Sequence, residues 1–259
     1  MVATLHQDEF PPWFTPPPGI DELPTEDGVP LESQRHRQAA ALLAEPLELH
    51  FSARADFFVG ANMFVFFSAL QAKRNDFRGP DVFVVLDTER RERKAWVVWE
   101  ENGKGPDLVI ELLSPSTEAE DRGRKKQIYE RALKVREYFL YDPFAGRLDG
   151  FRLDASGVYR LIPLEASGRM KSSQVGLELG IWNGVFHATH APWLRWFTSE
   201  GAMLPSDEDL KARAETEAAR ANAAIDDAKA AREEAEAERK KRVELEERLA
   251  ALTAPKSGA

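Results

Sequence analysis

Two apolar runs set the terms on which this chain folds. Val82-Phe-Val-Val-Leu86 follows Gly79-Pro80-Asp81, and Leu108-Val-Ile-Glu-Leu-Leu113 follows Pro106-Asp107. Short β-branched runs opened by proline read as buried strands. The second run carries Glu111 in its middle, and a carboxylate in an apolar strand costs free energy unless something partners it. Side chains alternate between the faces of a strand, so Asp107, Val109, Glu111 and Leu113 point one way and Leu108, Ile110 and Leu112 the other. The second set is uniformly apolar and belongs to the core. If the strand after Asp81 is a neighbour, Asp81 and Glu111 converge on one oxygen-ligated ion, the coordination that Mg2+ takes. Such an ion activates water and stabilises the charge that builds on a phosphodiester.

A cationic group is expected from the next element. Ser114-Pro-Ser-Thr-Glu118 punctuates the strand and caps a helix from about Thr117 or Glu120 to Lys134. On that helix Asp121, Lys125 and Tyr129 fall at i, i+4 and i+8, on one face, with Lys126 adjacent.

The ordered string Pro80-Asp81, Pro106-Asp107-Leu-Val-Ile-Glu111-Leu-Leu-Ser114-Pro-Ser-Thr117, Asp121, Lys125, Tyr129 and Val135-Arg-Glu-Tyr-Phe-Leu-Tyr-Asp-Pro143 resembles one known family. It is similar to the bacterial Uma-type restriction endonuclease family, a branch of the PD-(D/E)XK nuclease superfamily, over roughly residues 30 to 195. The form with a charged, coiled-coil-like C-terminal helix is common in that family. The resemblance implies a restriction-endonuclease-like core, a mixed β-sheet flanked by helices, in the α/β (α+β) class. It also implies a Mg2+ site that Mn2+ can fill, and phosphodiester hydrolysis in double-stranded DNA. By this likeness Asp81 and Glu111 are metal ligands and Lys125 the catalytic lysine. Asp121, Tyr129 and Lys126 are supporting residues, Lys126 being the replacement for Lys125. One departure stands out: the superfamily's lysine normally lies two residues after the acid, where this chain has Leu113. A lysine supplied from the following helix restores the ammonium.

Elsewhere the chain divides by composition. Residues 1–30 hold seven prolines and read as an extended arm pinned by Trp13 and Phe14. The nuclease-like domain is expected over 31–200. A helix begins after Leu31 and is ended or bent by Pro46, and residues 56–70 and Asp76–Leu86 read as strands. Ala95–Glu100 reads as a strand or short helix. Arg136–Tyr141, Leu148–Leu153 and Val158–Leu161 read as further strands, and Gly180–Phe197 as a terminal strand with an irregular aromatic patch. From Asp207 to Leu252 there is no Gly or Pro, and Ala, Glu, Arg and Lys dominate, so one long helix is expected. Its four-three stripe runs Leu210, Ala214, Glu217, Ala221, Ala224, Ala228, Ala231, Ala235, Glu238, Arg242, Leu245, Leu249 and Leu252, a weak heptad pattern that is mostly alanine and has three charged members. That spacing suits a homodimeric coiled coil or a solvated helix held by ion pairs. Residues 253–259 read as a disordered tail.

Composition narrows the classes. Without cysteine there are no disulfides, thiolate metal sites or thiol nucleophiles. No secretory leader and no membrane span are expected, so the cytoplasm is the expected compartment. The net charge of −9 opposes bulk nucleic-acid binding. However, the Asp207–Leu252 segment carries fourteen acids against ten bases. Base meanwhile gathers near the candidate site in Arg122, Arg124, Lys125, Lys126, Arg131, Lys134 and Arg136. Structural readings compete at each residue: Asp81 as a turn cap, Glu111 as partner of a core arginine, Lys125 as a solvated lysine. Asp107 reads as the residue that opens its strand, about 13 Å from Glu111. Ser114 and Ser116 read as caps; His36, Glu32 and Asp56 are weaker candidates for the acidic cluster or its surroundings. Two functions follow: a metal-dependent endonuclease, or an inactive nuclease-fold scaffold that binds a partner through its C-terminal helix.

Overall fold

The central sheet is built outward from the two apolar runs. In the computed structural model, which describes residues 16–24, 33–68 and 79–253, these are β3 (Val82–Leu86) and β5 (Leu108–Leu112). They pair antiparallel, with Val82 opposite Ile110. On its other side β5 runs parallel to β6 (Glu137–Asp142). Adding β1 (Phe57–Ala61), β7 (Arg147–Leu153) and β8 (Tyr159–Leu161) gives six strands in the order β1-β3-β5-β6-β7-β8. Every residue of β5 is buried, as expected of a central strand covered on both faces.

Each face has its own cover. Leu108, Ile110 and Leu112 pack with Leu42, Leu43 and Leu47 of α1 (Gln34–His50) and with Trp193 and Trp196. Val109 and Leu113 pack instead with Tyr129, Val135, Tyr138 and Leu140. This second face is covered by α2, a helix in three stretches: Glu118–Glu120, a π-helical turn Asp121–Lys125, and Lys126–Arg131. Full burial of each leucine contributes about 1.5–3 kcal/mol.

Several expectations are corrected. Helix α1, capped by Ser33 Oγ accepting from the His36 N–H at 3.3 Å, passes through Pro46 to His50 without ending. Pro46 and Leu47 are buried, so packing outweighs the lost main-chain bond. The aromatic run 56–70 is not one strand. Asn62 takes φ 50° and ends β1. The chain then enters β2 (Val65–Phe66), which pairs parallel with β4 (Trp96–Val97) in a separate small sheet. Trp96–Val97 is therefore all the strand that Ala95–Glu100 supplies; a turn follows. Helix α2 stops at Arg131, short of Lys134. The C-terminal aromatic patch is regular: β10 (Glu178–Phe186) and β11 (Thr189–Phe197), nine residues each, form an antiparallel hairpin. β9 (Met170–Lys171) adds a third strand to it. His187 and Ala188 at its tip have φ 45° and 60°, the left-handed pair of a tight primed turn. Nothing in His-Ala announces such a turn, so the pairing was hidden.

The chain divides between Ser206 and Asp207 into two compact units. The second is α3, Asp207–Thr253, a single helix. Its apolar side chains Leu210, Ile225, Leu245 and Leu249 are exposed. Most of the proline-rich arm, including Trp13 and Phe14, and the residues after Thr253 lie outside the described residues. So do 69–78 and Glu32.

Candidate functional site

Register brings the two acids together. Val82 faces Ile110 in the antiparallel ladder, so the next position sets Asp81 opposite Glu111, and opposed residues share a face. The two carboxyls lie close enough that the Asp81 charge acts on Glu111. Asp81 Oδ2 also accepts the Leu112 N–H at 2.7 Å, which closes the end of the ladder. Asp107 does the same at the far end, where its Oδ2 accepts the Leu86 N–H at 2.8 Å and Arg136 lies 3.6 Å away. Asp107 is thus a strand-end residue remote from Glu111, and the Asp81 side chain closes the β3–β5 ladder across strands instead of capping a turn of its own.

Helix α2 completes the site. Tyr129, fully buried, donates its hydroxyl to Glu111 Oε1 at 2.8 Å. Lys125 Nζ lies 3.2 Å from Glu111 Oε2 and 2.8 Å from Asp121 Oδ1. The π-helical turn runs from Asp121 to Lys125, and such turns recur at functional sites. Tyr138 adds a contact that the sequence reading missed: its hydroxyl donates to the Asp121 carbonyl at 2.9 Å. The available signal was its place in β6, beside Val109 and on the face of Glu111. Lys126 points elsewhere, its Nζ 3.4 Å from the centre of the Phe151 ring. Glu111 has no core arginine as partner, which removes that competing reading. Ser114 Oγ accepts the Thr117 N–H, a capping role. His36 is held by Ser33 and Asp56 by Arg54, both apart from the acids.

Burial dominates the electrostatics. It pushes the carboxyl of Glu111 well above the ordinary range; the Lys125 charge opposes this and the Asp81 and Asp121 charges add to it. Burial likewise raises Asp81, against the pull of the Leu112 N–H and Lys125. Burial alone would lower Lys125, but Glu111 and Asp121 override it and hold the ammonium above its usual value. Three acids thus face one lysine in a largely water-free setting. A divalent cation fits that imbalance, because with all three acids ionised it would neutralise the cluster. Among the described residues no group of three or more His, Cys, Asp or Glu is arranged to hold a metal. The fit is therefore to a pair, Asp81 and Glu111, of the kind that binds Mg2+ through one or two carboxylates with water and phosphate completing the shell.

Residues 26–189 match the family described as "Uma2: Putative restriction endonuclease". The chain belongs to this family. An uncharacterized protein of Synechocystis sp., slr1290, is 30% identical over 102 residues, 39% of this chain. The match spans half the length of that relative, 50%. Among solved structures, a "putative nuclease belonging to DUF820" from Anabaena variabilis is similar at 14% identity and a TM-score of 0.41. It covers 56% of this chain and 76% of that one. The family match covers the central strands on which the candidate site of this Uma2 member lies. Among its described residues no helix is long and apolar enough to cross a membrane.

Proposed function

We propose that this Uma2 member is a Mg2+-dependent endonuclease, with Mn2+ as a working substitute, that hydrolyses phosphodiester bonds of double-stranded DNA in the cytoplasm. The observation that carries the reading is the meeting of Asp81 and Glu111 on adjacent strands with the Lys125 ammonium against Glu111. Asp81 and Glu111 would hold the ion. When bound it supplies a water acidified toward neutral pH and a positive charge beside the scissile phosphate. Tyr129 fixes Glu111 by one oxygen and leaves the other toward Lys125. Held above its usual range, Lys125 keeps its proton at neutral pH. It therefore works as a fixed charge that orients the attacking water and offsets developing negative charge on phosphate, not as a base. Two copies paired through α3 would offer one site to each DNA strand, which is how we place the homodimer.

Supercoiled plasmid with Mg2+ or Mn2+ tests the reading. Wild type should nick it, while Asp81→Asn and Glu111→Gln should not, and Lys125→Met should lose about a hundredfold or more. Equal nicking by all four proteins would sink the site. The rival, an inactive scaffold binding a partner through α3, draws on Leu113, buried in the core where the superfamily's lysine usually stands. A folded wild type inert with both ions would favour it.

A further inference from the structure

The three acids do not hold Lys125 equally. Its Nζ is 2.8 Å from Asp121 Oδ1 and 3.2 Å from Glu111 Oε2. Asp121 is 1% exposed, and neither of these two oxygens accepts an aligned hydrogen bond from any other group. Through Oδ1 the Asp121 carboxylate is committed to the ammonium. Glu111 is differently placed, since Oε1 is secured by Tyr129 and Oε2 has only the longer contact. The backbone beneath Asp121 is itself anchored, because its carbonyl accepts from the Tyr138 hydroxyl on β6. Asp121 and Lys125 are the first and last residues of the π-helical turn, so the pair is set by helix geometry and not by the sheet.

An ammonium resting on Glu111 competes with any cation for that carboxylate, since both satisfy the same buried charge. We propose that Asp121 is a positioning residue that retains Lys125 at the margin of the carboxylate pair, so that Glu111 is yielded to a divalent cation while the lysine stays in the site. The inference rests on the metal site proposed above and adds a division of labour among the acids. Asp81 and Glu111 serve the ion, and Asp121 serves the lysine.

Calorimetric titration of the full chain with Mn2+ tests this without recourse to activity. Asp121→Asn should weaken Mn2+ binding by about tenfold, a coupling typical of contacting charges. Asp121→Glu, which keeps the carboxylate, should recover most of the loss. Lys125→Met, which removes the competitor, should bind Mn2+ more tightly than wild type. In that background Asp121→Asn should cost no more than about twofold, because its partner is gone. Should Asp121→Asn fail to fold by circular dichroism, Asp121→Ser replaces it with the same expectations. An equal loss with and without Lys125 would mean that Asp121 acts only through space as a charge, and would overturn the assignment. So would wild-type affinity in the Asp121 variants. A wild type that binds no Mn2+ would instead remove the metal site itself, and this inference with it.

Discussion

Glu111 is the residue on which the site's chemistry and its stability pull in opposite directions. Its burial and the nearby Asp81 and Asp121 charges raise its carboxyl, and burial raises Asp81 too. A carboxyl whose value is higher in the folded than in the unfolded chain binds its proton more tightly when folded. The resulting stabilisation is full below the unfolded value, about pH 4, and is lost as pH climbs through the folded value. In chelator, the melting temperature should therefore fall as pH rises from about 5 to 8. Glu111→Gln should flatten that slope and leave the variant about 1–3 kcal/mol more stable than wild type at pH 8. A variant melting below wild type at pH 8 would contradict this account. Strand alternation made the meeting of Asp81 with Glu111 legible only on the condition that their strands are neighbours, and the antiparallel β3–β5 ladder meets that condition. The ammonium was legible from helical spacing. Tyr138 was not, since a tyrosine in an apolar strand has the same pattern whether it packs or donates.

Elements were legible where local signals agreed with packing. Strands β3 and β5 and helix α3 show their character in composition alone. The misses lie where the backbone makes a move its residues do not advertise. Asn62 turns left-handed and breaks an aromatic run in two, and Pro46 sits inside a helix because its surroundings bury it. The β10–β11 hairpin turns through His187 and Ala188, both at positive φ, and a residue with a Cβ is strained there. Ala188→Gly should therefore stabilise the domain by about 0.5–1 kcal/mol, and His187→Asn with it somewhat more. Thermal or urea unfolding would read this directly, and a loss of stability would rule out the primed-turn geometry.

On the scale of the whole chain, the boundary between Ser206 and Asp207 separates two kinds of stability. The first unit has a continuous core on both faces of its sheet. Helix α3 has no buried residue among those described, so its stability draws on alanine-rich propensity and ion pairs such as Arg242–Glu246. A chain truncated after Ser206 should keep the melting temperature of the first unit to within a few degrees. If α3 joins two copies, sedimentation should show a dimer for the full chain and a monomer for the truncated one. Equal monomer masses would leave α3 without that role.

The two aspartate caps of the β3–β5 ladder supply a built-in comparison. Asp81 on the Leu112 amide and Asp107 on the Leu86 amide are exchanged by the local twofold of an antiparallel pair. The same construction appears twice, and only one copy was loaded with Glu111 and Lys125. An amide oxygen can accept the same backbone hydrogen as a carboxylate, so Asp107→Asn reports what losing a charge at a ladder terminus does to folding alone. Subtracting its effect on unfolding free energy from that of Asp81→Asn isolates whatever the second copy acquired. That remainder should be large in the presence of Mn2+ and small in chelator.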